Sequence, residues 1–150
     1  MNNQAATRHR LWHSLEMRCI RRDLIMLLAA MALFMLMTWN DGFRGVAMAM
    51  DCIFFGPIVL FYIWRSMQIF RKPEGYTFYK TTLSQFHQKF PLKSMYFTVV
   101  LEEPDGSKRV ENTHAIFACH GIVEPLLESY VNSTVTIGLN QETGMVLVIG

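Results

Sequence analysis

Leu24–Trp39, LIMLLAAMALFMLMTW, carries no charge. As an α-helix rising about 1.5 Å per residue it covers roughly 24 Å, close to the roughly 30 Å hydrocarbon core of a bilayer. A second run, Val46–Trp64, VAMAMDCIFFGPIVLFYIW, holds a single charged residue, Asp51, and reaches roughly 28 Å. A short turn from Asn40 to Gly45 joins them. The two runs predict a membrane α-helical hairpin of two transmembrane helices. Trp39 and Phe43 would mark one water interface, and Trp12, Tyr62 and Trp64 the other, where amphipathic rings are favoured. A buried hairpin of a soluble protein is the alternative, and two such runs with aromatic ends make it the weaker one. A long basic stretch precedes the first run and no small-residue cleavage pattern follows it, so a signal peptide is not expected.

Composition agrees with this reading. The chain has 150 residues, 51% hydrophobic and 17% charged, an apolar excess over an ordinary soluble domain. Basic residues flank the runs unequally. Arg8, Arg10, Arg18, Arg21 and Arg22 come before the first, and Arg65, Arg71 and Lys72 follow the second, whereas the connecting turn holds only Arg44. Positive charge stays on the cytoplasmic side, so both termini are expected there, in a bacterial inner membrane. Residues 1–72 hold nine basic and four acidic side chains, and residues 73–150 hold five and eight. The basic excess therefore belongs to the membrane surface, with the lipid bilayer as the first partner. The acidic tail excludes a nucleic-acid partner.

Three regions follow. Residues 1–23 form a basic amphipathic juxtamembrane segment, 24–72 the hairpin, and 73–150 a small cytoplasmic β-rich domain. A helix is expected from Gln4 to Arg22, with His9, His13 and Glu16 on one face. Their spacing could hold a metal ion, but the arginines around them would repel one. Past Lys72-Pro73-Glu74-Gly75 the aromatic and β-branched content of Tyr76–Leu83 reads as a strand. Met95–Glu102 alternates, turns at Pro104-Asp105-Gly106, and returns as Lys108–Cys119. A helix over Gly121–Val131 and a second hairpin, Thr134–Leu139 with Met145–Ile149, complete an α+β domain of SH3-like or OB-like type, a curled sheet or barrel. The layout of spans before a small cytoplasmic barrel is similar to that of NfeD-like proteins, with no residue motif to carry over, and no function is implied by it.

Asp51 is the residue most out of place. On a helical wheel Gly45, Ala49, Cys52 and Gly56 form a narrow small-residue stripe, the kind of face that packs helices closely. Ala29 and Ala32 are the expected counterparts, with Asp51 roughly 130° away and facing elsewhere. Arg44 lies almost on the azimuth of Asp51 and could reach it. A partner subunit, or a proton or ion path in an oligomer, would serve as well.

No phosphate-cradling loop, serine elbow or HExxH occurs. Cys19, Cys52 and Cys119 lack paired-ligand spacing. Strand geometry places Cys119 on the opposite face from His114 and His120. No catalytic residue, metal or cofactor is expected. The expected function is a membrane-anchored accessory or scaffold protein whose β-domain binds a protein partner or forms a homo-oligomer. The alternatives are an oligomeric transporter or channel subunit using Asp51 and a small membrane enzyme using Cys119.

Overall fold

A computed structural model describes residues 2–38, 44–89, 94–102, 106–116 and 127–149. Among them are four α-helices and a five-stranded antiparallel sheet, an α+β architecture.

The basic segment forms two helices rather than one. Helix α1 (Asn2–Trp12) ends before His13, and α2 (Leu15–Thr38) starts afresh. Ser14 causes the restart. Its Oγ accepts the Met17 N–H at 3.3 Å, satisfying one of the N–H groups that a helix start leaves open. Helix α2 then runs roughly 36 Å without interruption. Its first third is buried at Leu15, Met17, Cys19 and Ile20, while from Ile25 onward it exposes Ile25, Leu28, Leu33, Leu36 and Met37.

The second run is also divided, into α3 (Arg44–Phe54) and α4 (Gly56–Phe70). The axes bend by 44° at Phe55. Pro57 accounts for the bend, because it brings no N–H to the Ile53 carbonyl and its ring crowds the preceding turn. Two straight spans were the expectation. Among the described residues no single helix is long and apolar enough to cross a membrane, although the bent pair passes when taken together. In α2 the charges up to Asp23 leave only Leu24–Thr38 as an apolar length, roughly 22 Å.

After α4 the chain turns through Lys72, which takes left-handed backbone angles (φ 56°), and one 3₁₀ turn at Pro73–Gly75. Strand β1 (Tyr76–Lys89) is longer than the alternation predicted and serves two neighbours. Tyr76–Thr82 pairs with β4 (Thr134–Asn140), and Leu83–Lys89 with β2 (Ser94–Glu102). A bulge between Leu83 and Gln85 bends the strand where it changes partner. There the Ser84 hydroxyl donates to the Thr98 carbonyl at 2.9 Å. Strands β3 (Lys108–Asn112) and β5 (Val146–Val148) give the order β3-β2-β1-β4-β5. The expected strand to Cys119 stops at Asn112. Beyond it Ile116 exchanges backbone bonds with Met95 at 2.7 and 2.9 Å, and the His114 N–H donates to Val146 at 2.6 Å. This segment ties β2 to β5 and so curls the sheet. Most of the helix expected over 121–131 lies outside the described residues, as do Cys119 and His120.

The curl encloses Leu83, Met95, Phe97, Val99, Val135, Ile137 and Val148, with Leu15 and Cys19 of α2 closing one side. A second cluster joins Leu11, Met17 and Ile20 to Ile69, Tyr76 and Leu147. The sequence reading placed residues 1–23 at the membrane surface, whereas their apolar side chains form part of the core of the β-domain. Gly138 is required where Tyr76 and Phe78 lie across β4. A Cβ there would stand 3.2 Å from Phe78 Cε1 and 3.3 Å from Tyr76 Cδ1.

Candidate functional site

Two buried polar sites stand out, one where the hairpin meets the sheet and one within the hairpin.

At the junction, the N-cap at Ser14 points the first turn of α2 toward β5. The Glu16 carboxylate accepts the Val148 N–H at 3.2 Å, and its other oxygen has no hydrogen-bond partner among the described residues. Arg65 of α4 donates to the Ala115 carbonyl. Glu16, Arg65 and His114 share the wall of a cavity of about 10 Å³ with Ile20, Tyr62 and Ile69, roughly the room that one water needs. Burial pushes the Glu16 carboxyl up to about 8, against the smaller opposing effects of its backbone hydrogen bonds and of Arg65 and Arg18. Burial, and then the Arg65 charge, depress the His114 imidazole to about 4. Near neutrality the site holds one fixed cation, a neutral imidazole and a carboxyl group mostly in its protonated form. It contains no nucleophile with an activating base, and no group of His, Cys, Asp or Glu among the described residues could hold a metal ion. Its chemistry is electrostatic, and it joins α2, α4 and the sheet. Two turns along α2, Asp23 is buried and accepts the Tyr62 hydroxyl hydrogen bond at 2.9 Å.

The sequence reading missed this site. Glu16 was grouped with His9 and His13, whose rings lie 4.6 Å apart at a tilt of 53°, but Glu16 is buried away from the exposed His13. Ser14, two residues upstream, was the available signal, since a cap fixes which face of the new helix turns inward.

The basic residues expected at the lipid surface divide into two groups. Arg8 and Arg71 are exposed. The others have protein partners: Arg10 lies over the Phe78 ring and Arg21 over Trp12. Arg18 donates to the Tyr130 hydroxyl, Arg22 approaches Asp23 at 3.7 Å, and Lys72 pairs with Glu142.

Within the hairpin the small-residue stripe is not the face that packs against α2. Ala49 and Cys52 are exposed, and a Cβ added at Gly45 or Gly56 would meet nothing within 4 Å. Asp51 takes the inward position instead, 2% exposed. It lines a crevice of about 740 Å³ with Ala30, Leu33, Phe34 and Met37 of α2 and with Met50, Phe54, Phe55 and Ile58. Neither carboxylate oxygen has a hydrogen-bond partner among the described residues. The expected Arg44 contact falls on a side chain outside the description.

Comparison with known protein families, curated proteins and solved structures finds no match to this chain.

Proposed function

We propose that the chain is a membrane-anchored accessory or scaffold protein, with its helical hairpin in lipid and its β-domain on the cytoplasmic side as a binding module. One observation carries the reading: its large exposed apolar side chains concentrate on α2, α3 and α4, among them Ile25, Leu36, Met37, Ile53 and Leu60, each about two-thirds or more open. Soluble monomers rarely leave so continuous an apolar surface uncovered. The short apolar length of α2 fits this reading if Arg21 and Arg22 extend toward the headgroups or the bilayer thins locally. The protein should stay with membranes through an alkaline carbonate wash and come out only with detergent, and release by the wash would overturn the anchor.

The binding role rests on β3, which pairs with β2 on one side and presents Lys108, Arg109 and Val110 outward. An open strand edge is a template for an incoming strand. A photo-crosslinking residue at Val110 should give a discrete adduct in intact cells while one at the exposed Thr77 gives none. Equal labelling at both would argue against a dedicated edge.

The burial of Asp51 between helices favours a second reading, an oligomeric transporter or channel subunit. Proton or ion flux in vesicles that vanishes in Asp51→Asn would support it.

A further inference from the structure

We infer that the crevice around Asp51 is a binding site for an amphiphilic organic cation, an apolar body bearing one ammonium group. The inference goes beyond the scaffold reading and rests on it only for the placement of the hairpin in lipid. Three features define the ligand. The wall is built from Ala30, Leu33, Phe34, Met37, Phe54 and Ile58, which ask for an apolar body. The volume of about 740 Å³ falls within the range of roughly 300 to 1,000 Å³ typical of small-molecule sites. The only charged group on the wall is a carboxylate, 2% exposed, with both oxygens unpartnered among the described residues. A buried carboxylate in such a place favours a cation that brings its own hydrogen-bond donors.

Charge disfavours a second copy of this chain as the occupant. A second copy of this chain has no lysine or arginine between residues 24 and 39 or between 45 and 64, and its one nearby cation, Arg44, starts about two turns from the level of Asp51. The crevice around Asp51 runs from Ala30 to Met37 along α2, roughly 10 Å, and a second groove continues from Ala30 back to Asp23, so a partner helix lying along both is an outcome that the test distinguishes. Leu33, Met37 and Phe54 are exposed at its rim, so the ligand enters from the apolar surroundings of the helices rather than from water.

The test uses the purified full chain in micelles of a neutral detergent, at neutral pH, with two spin-labelled long-chain probes. One probe ends in a primary ammonium and the other in a hydroxyl, and the immobilised fraction is read against protein-free micelles. The wild type should hold the ammonium probe at least about tenfold more tightly than the hydroxyl probe, the gain expected of a charged hydrogen bond out of water. Asp51→Asn, close in size, should abolish that preference and leave the hydroxyl probe unchanged. Leu33→Trp, which fills the crevice and keeps the carboxylate, should weaken both probes, with circular dichroism confirming the helices in each variant. Equal binding of the two probes by the wild type, an ammonium preference that survives in Asp51→Asn, or undiminished binding of both probes by Leu33→Trp would overturn the inference. So would capture of a polyleucine helix carrying one central lysine in place of the ammonium probe.

Discussion

Glu16 and His114 face the same small cavity and are displaced in opposite directions, and the pH dependence of stability follows from the pair. Burial raises the Glu16 carboxyl to about 8, so its contribution is complete below its unfolded value and is lost as pH rises through the folded one. Burial and Arg65 lower the His114 imidazole to about 4, so its contribution is present above its unfolded value near 6.5 and is lost as pH falls through the folded one. Arg65 stays charged throughout both windows. The two slopes oppose each other at mildly acidic pH, and only Glu16 acts between about 6.5 and 8. Chemical denaturation in detergent should show stability falling by about 2 kcal/mol over that upper interval. Glu16→Gln should abolish the fall and instead reveal the acid-side rise due to His114. A wild-type profile flat from 6.5 to 8 would contradict the burial of a carboxyl at this junction. Asn140 is a different kind of buried polar residue, since all its bonds are made. Its Nδ2 donates to the Lys72 carbonyl at 3.1 Å, and its Oδ1 accepts the Glu142 and Thr143 N–H groups at 3.0 and 3.1 Å. Asn140→Ala should cost about 2 to 3 kcal/mol, read as a lowered unfolding midpoint, because three backbone groups lose their partner.

Among the elements, β4 depends on having no side chain at Gly138. Gly138→Ala would push a methyl against the rings of Tyr76 and Phe78 and should destabilise by about 1 to 3 kcal/mol in the same assay. An unchanged midpoint would mean that the rings move aside freely. The strands were largely legible in the sequence because period-two alternation and turn chemistry agree: Phe97, Val99 and Leu101 face inward as that pattern requires. The second half of β1, Ser84–Lys89, was not legible, since a mostly polar stretch shows no alternation and its ring pairs, Phe86 with Phe97 and His87 with Tyr96, appear only once the register is set. The bend in the second run was written in Gly56-Pro57, but a continuous apolar composition concealed it. The orientation of Asp51 was misjudged for a related reason. Small residues identify a face that can pack closely but do not say which neighbour it packs against, and α3 turns that face outward. Glu16 was hidden because a carboxylate among arginines looks solvated until Ser14 is recognised as the start of a new helix.

Across the whole molecule, the burial contrast between cysteines offers a direct check on where the hairpin sits. Cys19 is buried and its thiol is pushed up to about 11, first by burial and then by Glu16, while Cys52 is exposed on α3. A thiolate is the reacting species, so Cys19 should stay unlabelled in the folded protein. In a Cys119→Ser background, a charged, impermeant maleimide should leave Cys52 unmodified in vesicles and modify it once the chain is unfolded in denaturing detergent. Modification before unfolding would remove Cys52 from lipid. Helix α2 carries the largest consequence at this scale. It starts among Leu15 and Cys19 in the core under the sheet and continues unbroken into the apolar surface at Ile25 and Leu28. Nothing along that rod allows the wet half of the protein to swivel on the greasy half. On the proposed function, a partner at the β3 edge would meet it at one fixed height and heading above the bilayer.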